Sequence, residues 1–174
     1  MKLLLHTCCG PCSAYPINIL RQNGFDIHCL FYNPNIHPYD EFDKRRQSFE
    51  KFMKIKNVAF TVFNEFMQQK WESYYDEKIT RCEMCYRIRM EQTAQFAKMH
   101  GFEAFSTTLL VSPYQKHELI KTICMELSSK YGVEFVYIDF RAGFRVGQRE
   151  AREAGLYMQK YCGCIKSIRK DSCK

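Results

Sequence analysis

No stretch of this 174-residue sequence is apolar for long enough to cross a bilayer as a helix. The short apolar burst within Met1–Leu5 meets His6 at once and lacks the longer hydrophobic region of a secretory signal. Both absences predict a cytoplasmic protein with no membrane partner. Linkers, internal repeats and low-complexity tracts are missing too. At this length that predicts one α/β domain over residues 1–174, with a C-terminal helical Cys-x-Cys segment from about residue 140 onward. Acidic residues are in deficit, 19 against 26 basic ones, which leaves a net charge of +7. A surplus of this size favours a polyanionic partner such as nucleic acid, although a solvated surface with spare lysines would carry the same charge.

The pattern that is present alternates strands and helices. Lys2–Thr7, Asp26–Tyr32, Val58–Phe63, Ala104–Thr108 and Glu134–Ile138 read as strands. Ser13–Gln22, Asp40–Lys56, Glu65–Lys78, Glu83–Met99, Lys116–Lys130 and Gly147–Tyr161 read as helices. Prolines 34 and 38 force a loop between the second strand and its helix. Such alternation predicts right-handed crossovers and a mostly parallel sheet covered on both faces, a three-layer α/β sandwich. Ligands of such sheets sit beyond the carboxyl ends of the strands, so the loops after strands one, two and four are expected on one rim.

Ten cysteines are many for a chain read as cytoplasmic, where clustered thiols bind metal or do redox work more often than they form structural disulfides. Seven are grouped, as Cys8-Cys9-Gly-Pro-Cys12, Cys82-Glu-Met-Cys85 and Cys162-Gly-Cys164, and three stand alone, at 29, 124 and 173. Two cysteines separated by two residues can turn both sulfurs toward one metal, and neighbouring helix N-termini favour the thiolate that binds it. A structural zinc site would need four sulfurs. The surplus fits an iron–sulfur centre with electron transfer better than scaffolding. Cys162-Gly-Cys164 is too tight for a relaxed disulfide loop and would be easily reduced if closed, which suits a redox-active pair. Cys29 and Cys124 lie on apolar faces and read as core, and Cys173 as incidental.

The ordered motifs His6-Thr7-Cys8-Cys9-Gly10-Pro11-Cys12, Tyr32-Asn33-Pro34-Asn35-Ile36-His37-Pro38, Arg81-Cys82-Glu83-Met84-Cys85-Tyr86-Arg87, Ser112-Pro113-Tyr114-Gln115 and Gln159-Lys160-Tyr161-Cys162-Gly163-Cys164 resemble one family nearly end to end. It is the cobalamin-independent, iron–sulfur epoxyqueuosine reductases of the QueH type. The resemblance implies a Rossmann-like fold of the adenine nucleotide alpha-hydrolase kind. It also implies two-electron reduction of epoxyqueuosine to queuosine at the wobble position of tRNA. Cys-Cys-Gly-Pro-Cys stands where ATP-using relatives of that fold carry Ser-Gly-Gly-x-Asp-Ser, so ATP is not expected.

The resemblance further implies a [4Fe–4S] cluster on Cys8, Cys9, Cys82 and Cys85, with room for a second iron or other metal ion. Spacing alone equally pairs Cys9 with Cys12 and leaves Cys8 for a second metal or for substrate. Cys162 and Cys164 are expected as the catalytic redox pair, fed by an electron donor the sequence does not identify. His37, Tyr114 and Asp139, all on predicted rim loops, are candidate proton donors. Arg141, Arg145, Arg149 and Arg152 are the candidate tRNA contacts, with Tyr32, Tyr39 and Phe144 available for stacking on an unpaired base. Two other readings fit the same cysteines: an iron–sulfur enzyme that thiolates tRNA, and a zinc-stabilised RNA-binding module without catalysis.

Overall fold

The computed structural model of the chain describes residues 1–168, so Cys173 lies outside the described residues. The sheet has five strands, all parallel, in the order β3-β2-β1-β4-β5: β1 (Lys2–His6), β2 (Asp26–Phe31), β3 (Ala59–Val62), β4 (Ala104–Thr107) and β5 (Glu134–Phe135). β1 is the central strand. Leu3, Leu4 and Leu5 are all fully buried, which is why its sequence is continuously apolar rather than alternating.

The α-helices among the described residues are α1 (Gly10–Gln22), α2 (Tyr39–Lys56), α3 (Gln68–Glu72), α4 (Arg81–Met99), α5 (His117–Tyr131) and α6 (Phe144–Glu153). β1→β2→β3 steps one way across the sheet and β4→β5 the other. Right-handed crossovers therefore put α1 and α2 on one face and α4 and α5 on the opposite one. The packing of α1 on α2, of α1 on α6 and of α4 on α5 agrees with this division. The chain thus leaves β1 and β4, which are neighbours, toward opposite faces, and a crevice opens between their carboxyl ends.

Several boundaries differ from the sequence reading for local reasons. α1 starts at Gly10 instead of Ser13 because the Cys9 sulfur accepts the Cys12 N–H at 3.4 Å as an N-cap, and Pro11 suits a first helical turn. The helix expected over Glu65–Lys78 shrinks to the five residues of α3. Asp76 Oδ1 instead accepts the N–H groups of Lys78 and Ile79 at 2.7 and 2.8 Å, a turn that competes with helix. α4 begins at Arg81 because the Thr80 hydroxyl caps it by accepting the Glu83 N–H at 3.2 Å. β5 is only Glu134–Phe135, paired with Ala104 and Phe105, and the Val136 N–H still donates to the Phe105 carbonyl at 3.0 Å; beyond β4 the chain turns into a 3₁₀ segment (Thr108–Val111). α6 covers Phe144–Glu153 rather than Gly147–Tyr161. Gly155, at φ +69°, closes it with hydrogen bonds from the Gly155 and Leu156 N–H groups to the Arg152 and Ala151 carbonyls, both 3.0 Å. The segment that holds Cys162 and Cys164 is therefore irregular, not helical.

α6 lies close against the first turns of α1. A Cβ on Gly143 would fall 2.0 Å from the Tyr15 ring, and one on Gly147 would fall 3.3 Å from the Pro11 carbonyl. Gly143→Ala is expected to destabilise the protein by about 1–3 kcal/mol through overpacking, read as a lower urea midpoint with an unchanged m-value.

Candidate metal centre

The loop after β1 delivers Cys8 and Cys9 into the β1/β4 crevice, and the first turn of α1 adds Cys12. The three sulfurs lie within 4.8 Å of one another, and those of Cys8 and Cys9 are 3.9 Å apart. Thr108, just after β4, closes the other side: its hydroxyl accepts the Cys8 N–H at 3.1 Å and donates to the Cys8 sulfur at 3.4 Å. Beneath them His6 is wholly buried. Its Nε2–H donates to the Tyr32 carbonyl and its Nδ1 accepts from the Thr107 hydroxyl, both at 3.0 Å, which ties the ends of β1, β2 and β4 together. Burial first, and the Arg89 charge second, lower the His6 pKa to about 3, so the ring is a neutral strut.

The second cysteine pair opens α4, with Cys82 exposed and Cys85 8% exposed. Cys82 and Cys85 are not in the sulfur group of Cys8, Cys9 and Cys12, but Arg89, one turn further on and only 4% exposed, links Cys85 to the strand end that carries that group. Its Nη1–H donates to the Cys85 sulfur at 3.8 Å and its Nη2–H donates to Asn33 Oδ1 at 2.9 Å, while Asn33 Nδ2 donates to the Thr7 carbonyl at 2.9 Å. The Cys8 thiol is held well below its usual pKa by hydrogen bonds from Cys12 and Cys9, with help from the Arg89 charge and Thr108. Cys9 is raised by burial, Cys12 by its contact with Cys8, and Cys85 is pushed up to about 11 by burial. One thiolate of the triad forms readily and its neighbours then resist. A bound cation removes that resistance, because coordination replaces the proton on each sulfur. Soft sulfur donors this closely grouped fit a thiophilic metal such as iron or zinc.

The C-terminal cysteines approach the same region. Cys164, 9% exposed, packs with Trp71, Met84 and Cys85, while Cys162 is exposed with its sulfur 3.2 Å from the Ser167 hydroxyl. Buried Arg45 holds this segment down. It pairs with Glu41 at 2.8 Å and donates to the carbonyls of Cys162 and Tyr161 at 3.0 and 2.7 Å. His37 completes the clamp: its backbone N–H donates to the Gly163 carbonyl at 2.8 Å, Nδ1 accepts from the Ile165 N–H at 3.2 Å, and Nε2–H donates to the Pro34 carbonyl at 2.9 Å. Gly163, at φ +121°, is required there, since a Cβ would meet Arg45 Nη1 at 3.1 Å.

Of the predicted proton donors, His37 thus has both ring nitrogens engaged with backbone. Asp139 is exposed and paired with Arg141 at 2.7 Å, whose hydrogen bonds hold its carboxyl down to about 2, so it is ionised at neutral pH. Tyr114 is 69% exposed. Arg145, Arg149 and Arg152 are exposed along α6, and Arg141 lies just before it. Arg89, Arg45, Asn33 and Thr108 were not expected as site residues. Arg89 had one legible signal, its place four residues after Cys85 on a predicted helix. The others are brought in by tertiary contacts.

The pattern of the family described as epoxyqueuosine reductase QueH matches residues 3–170. An epoxyqueuosine reductase QueH of Thermotoga maritima is 38% identical over 95% of this chain and 90% of its own length. The corresponding protein of Dehalococcoides mccartyi is 35% identical over 95% of this chain and 92% of its own. Among solved structures, a deacetylase of teicoplanin biosynthesis superposes with a TM-score of 0.55 at 8% identity, over 88% of this chain and 86% of that one. A predicted tRNA methyltransferase subunit from Methanocaldococcus jannaschii gives 0.54 at 14%, over 88% and 74%. At such identities these two structures bear on the fold alone, which is the three-layer α/β sandwich expected from the sequence. Carrying the cysteine motifs at the switch point of that sheet and matching the family pattern over nearly its whole length, the chain belongs to the QueH family of epoxyqueuosine reductases.

Proposed function

We propose that this protein is a cytoplasmic epoxyqueuosine reductase acting on the wobble nucleotide of tRNA in the last step of queuosine synthesis. The epoxide on the cyclopentane ring takes up two electrons and two protons, both C–O bonds are lost, and the products are the alkene and water. The observation that carries this reading is the gathering of Cys8, Cys9 and Cys12 at the β1/β4 crevice, with Cys85 linked through Arg89 and Asn33 to the Thr7 carbonyl beside them, in a chain of this family.

Cys8, Cys9, Cys82 and Cys85 are the proposed holders of a [4Fe–4S] cluster. Cys12, whose sulfur stands beside the first two, is available to a second iron or to substrate. Such a centre supplies single-electron transfer and a Lewis acid for the epoxide oxygen. The protein residues do the rest. Arg89 offsets the negative charge of several thiolates in a buried site, a role that a guanidinium suits. His6, neutral and wedged under the cysteine loop, keeps the strand ends in register without adding charge.

Cys162 and Cys164 are proposed as the redox pair, exposed Cys162 facing the unidentified electron donor and Cys164 lying on the Cys85 side. Of the three predicted proton donors, Tyr114 alone keeps an exposed side chain free of the Pro34–Ile165 clamp and of the Asp139–Arg141 pair. The tRNA phosphates are assigned to Arg145, Arg149 and Arg152, with Arg141 shared with Asp139. ATP has no assigned part.

Deleting the gene from cells that have no other epoxyqueuosine reductase should replace queuosine in tRNA by epoxyqueuosine. Mass analysis of tRNA nucleosides that finds queuosine undiminished would sink the assignment. Protein purified without oxygen should be brown, and Cys9→Ser and Cys85→Ser should each lose most of the iron and the broad absorbance toward the violet; a colourless preparation with stoichiometric zinc would instead favour the zinc-stabilised module. Cys162→Ser and Cys164→Ser should abolish multiple turnover and leave that absorbance intact, whereas its loss would make these residues ligands.

A further inference from the structure

We propose that Tyr114 and Phe144 form an aromatic corner that stacks an unpaired base of the anticodon loop next to the reacting nucleotide. The proposal rests on tRNA being the substrate.

The two rings meet edge to face, with centroids 5.9 Å apart and planes at 80°. Tyr114 leaves 69% of its surface in water and is not core, while Phe144 is partly buried against the hydrophobic core and keeps part of its ring exposed. Single exposed aromatics are ordinary. A perpendicular pair whose segments are tied to the cysteine-bearing elements is not, since it presents one face for stacking and a second ring to cap the edge of what stacks there.

Both rings are anchored to the cysteine turns. The Tyr114 loop leaves the 3₁₀ segment that begins at Thr108, the residue bonded to the Cys8 sulfur. Its far side is pinned by Tyr86, the neighbour of Cys85, whose hydroxyl donates to Gln115 Oε1 at 2.6 Å and accepts the Lys116 N–H at 3.2 Å. Ser112 Oγ accepts the Tyr114 N–H at 3.2 Å. Phe144 is fixed from the other direction, because Gly143 sits against the Tyr15 ring and Gly147 against the Pro11 carbonyl, in the turn that ends at Cys12. The corner is therefore tied from both directions to the elements that carry the cysteine triad. Lys116 and Arg145, both exposed, flank it and supply charge for the phosphates on either side of a stacked base.

Stacking on an aromatic ring contributes about 1–3 kcal/mol per base, or roughly five-fold to a hundred-fold in affinity. The test measures binding of an anticodon stem-loop RNA to the metal-loaded protein across a salt series. Tyr114→Leu and Phe144→Leu should each weaken binding about tenfold at every salt concentration, with the slope of log K against log salt unchanged. Arg145→Ala should flatten that slope, and Tyr75→Leu, at an exposed ring elsewhere, should change nothing. Tyr114→Phe keeps the ring and should bind as the wild type does.

Wild-type affinity in both leucine variants would overturn the corner while leaving the tRNA reading intact, as would a defect in Tyr114→Phe equal to that of Tyr114→Leu. A wild-type protein that does not bind the stem-loop would instead strike at the reading beneath the proposal.

Discussion

Three thiols packed within 4.8 Å cannot all ionise in a buried site unless a cation shares it, and this constraint shapes the structure around them. The chain provides one permanent positive charge of its own, Arg89, in the wall between the Cys8–Cys12 turn and Cys85. Arginine suits the position because it does not give up its proton on burial, as a lysine there would be pressed to do. Its planar fork also reaches sulfur on one side and the Asn33 amide on the other, and Asn33 is in turn bonded to the strand end that carries the cysteines.

The topology of the sheet makes that gathering possible. A parallel sheet whose central strands send the chain to opposite faces leaves a crevice that no side chain of the sheet fills. In nucleotide-binding versions of such a crevice, backbone N–H groups of a helix N-terminus face a phosphate. Here the same N-terminus is capped by a sulfur, Cys9, and the neighbouring Cys8, held well below its usual pKa, is the thiol that becomes the built-in anion. His6 and Thr107–Thr108 fix the opposing strand ends, and the cysteine loop inherits its rigidity from them.

The C-terminal segment is held by a different device. Beyond α6 its described residues form no helix or strand, so their carbonyls need partners, and Arg45 and the His37 N–H provide them. Buried Arg45 is compensated by Glu41, which also accepts from the Tyr157 hydroxyl at 2.7 Å. The outcome is a Cys-Gly-Cys turn with Cys162 exposed and Cys164 buried in the cluster that holds Trp71, Met84 and Cys85.

The order of strands and helices, the parallel sheet and the grouping of cysteines were legible in the sequence because each rests on short-range pattern: apolar runs, prolines, turn glycines and cysteine spacing. Helix limits were less so. Capping by Cys9 and Thr80, the Asp76 turn and the Gly155 terminus are side-chain to backbone events that hydrophobic periodicity does not record. Spacing also left Cys8, Cys9 and Cys12 divided between alternative pairings, and the structure brings all three sulfurs together. It turned His37 from a rim residue into a buried clamp and tied Asp139 to Arg141, assignments made by groups close in space that the predicted elements did not pair. By itself the sequence determined which chemistry the chain carries, since sulfur donors and their local spacing are properties of the covalent chain. Which thiols share a focus, which cation sits among them and which aromatic rings face the solvent beside them were decided only by tertiary structure, because those distances are set by how the sheet and helices pack.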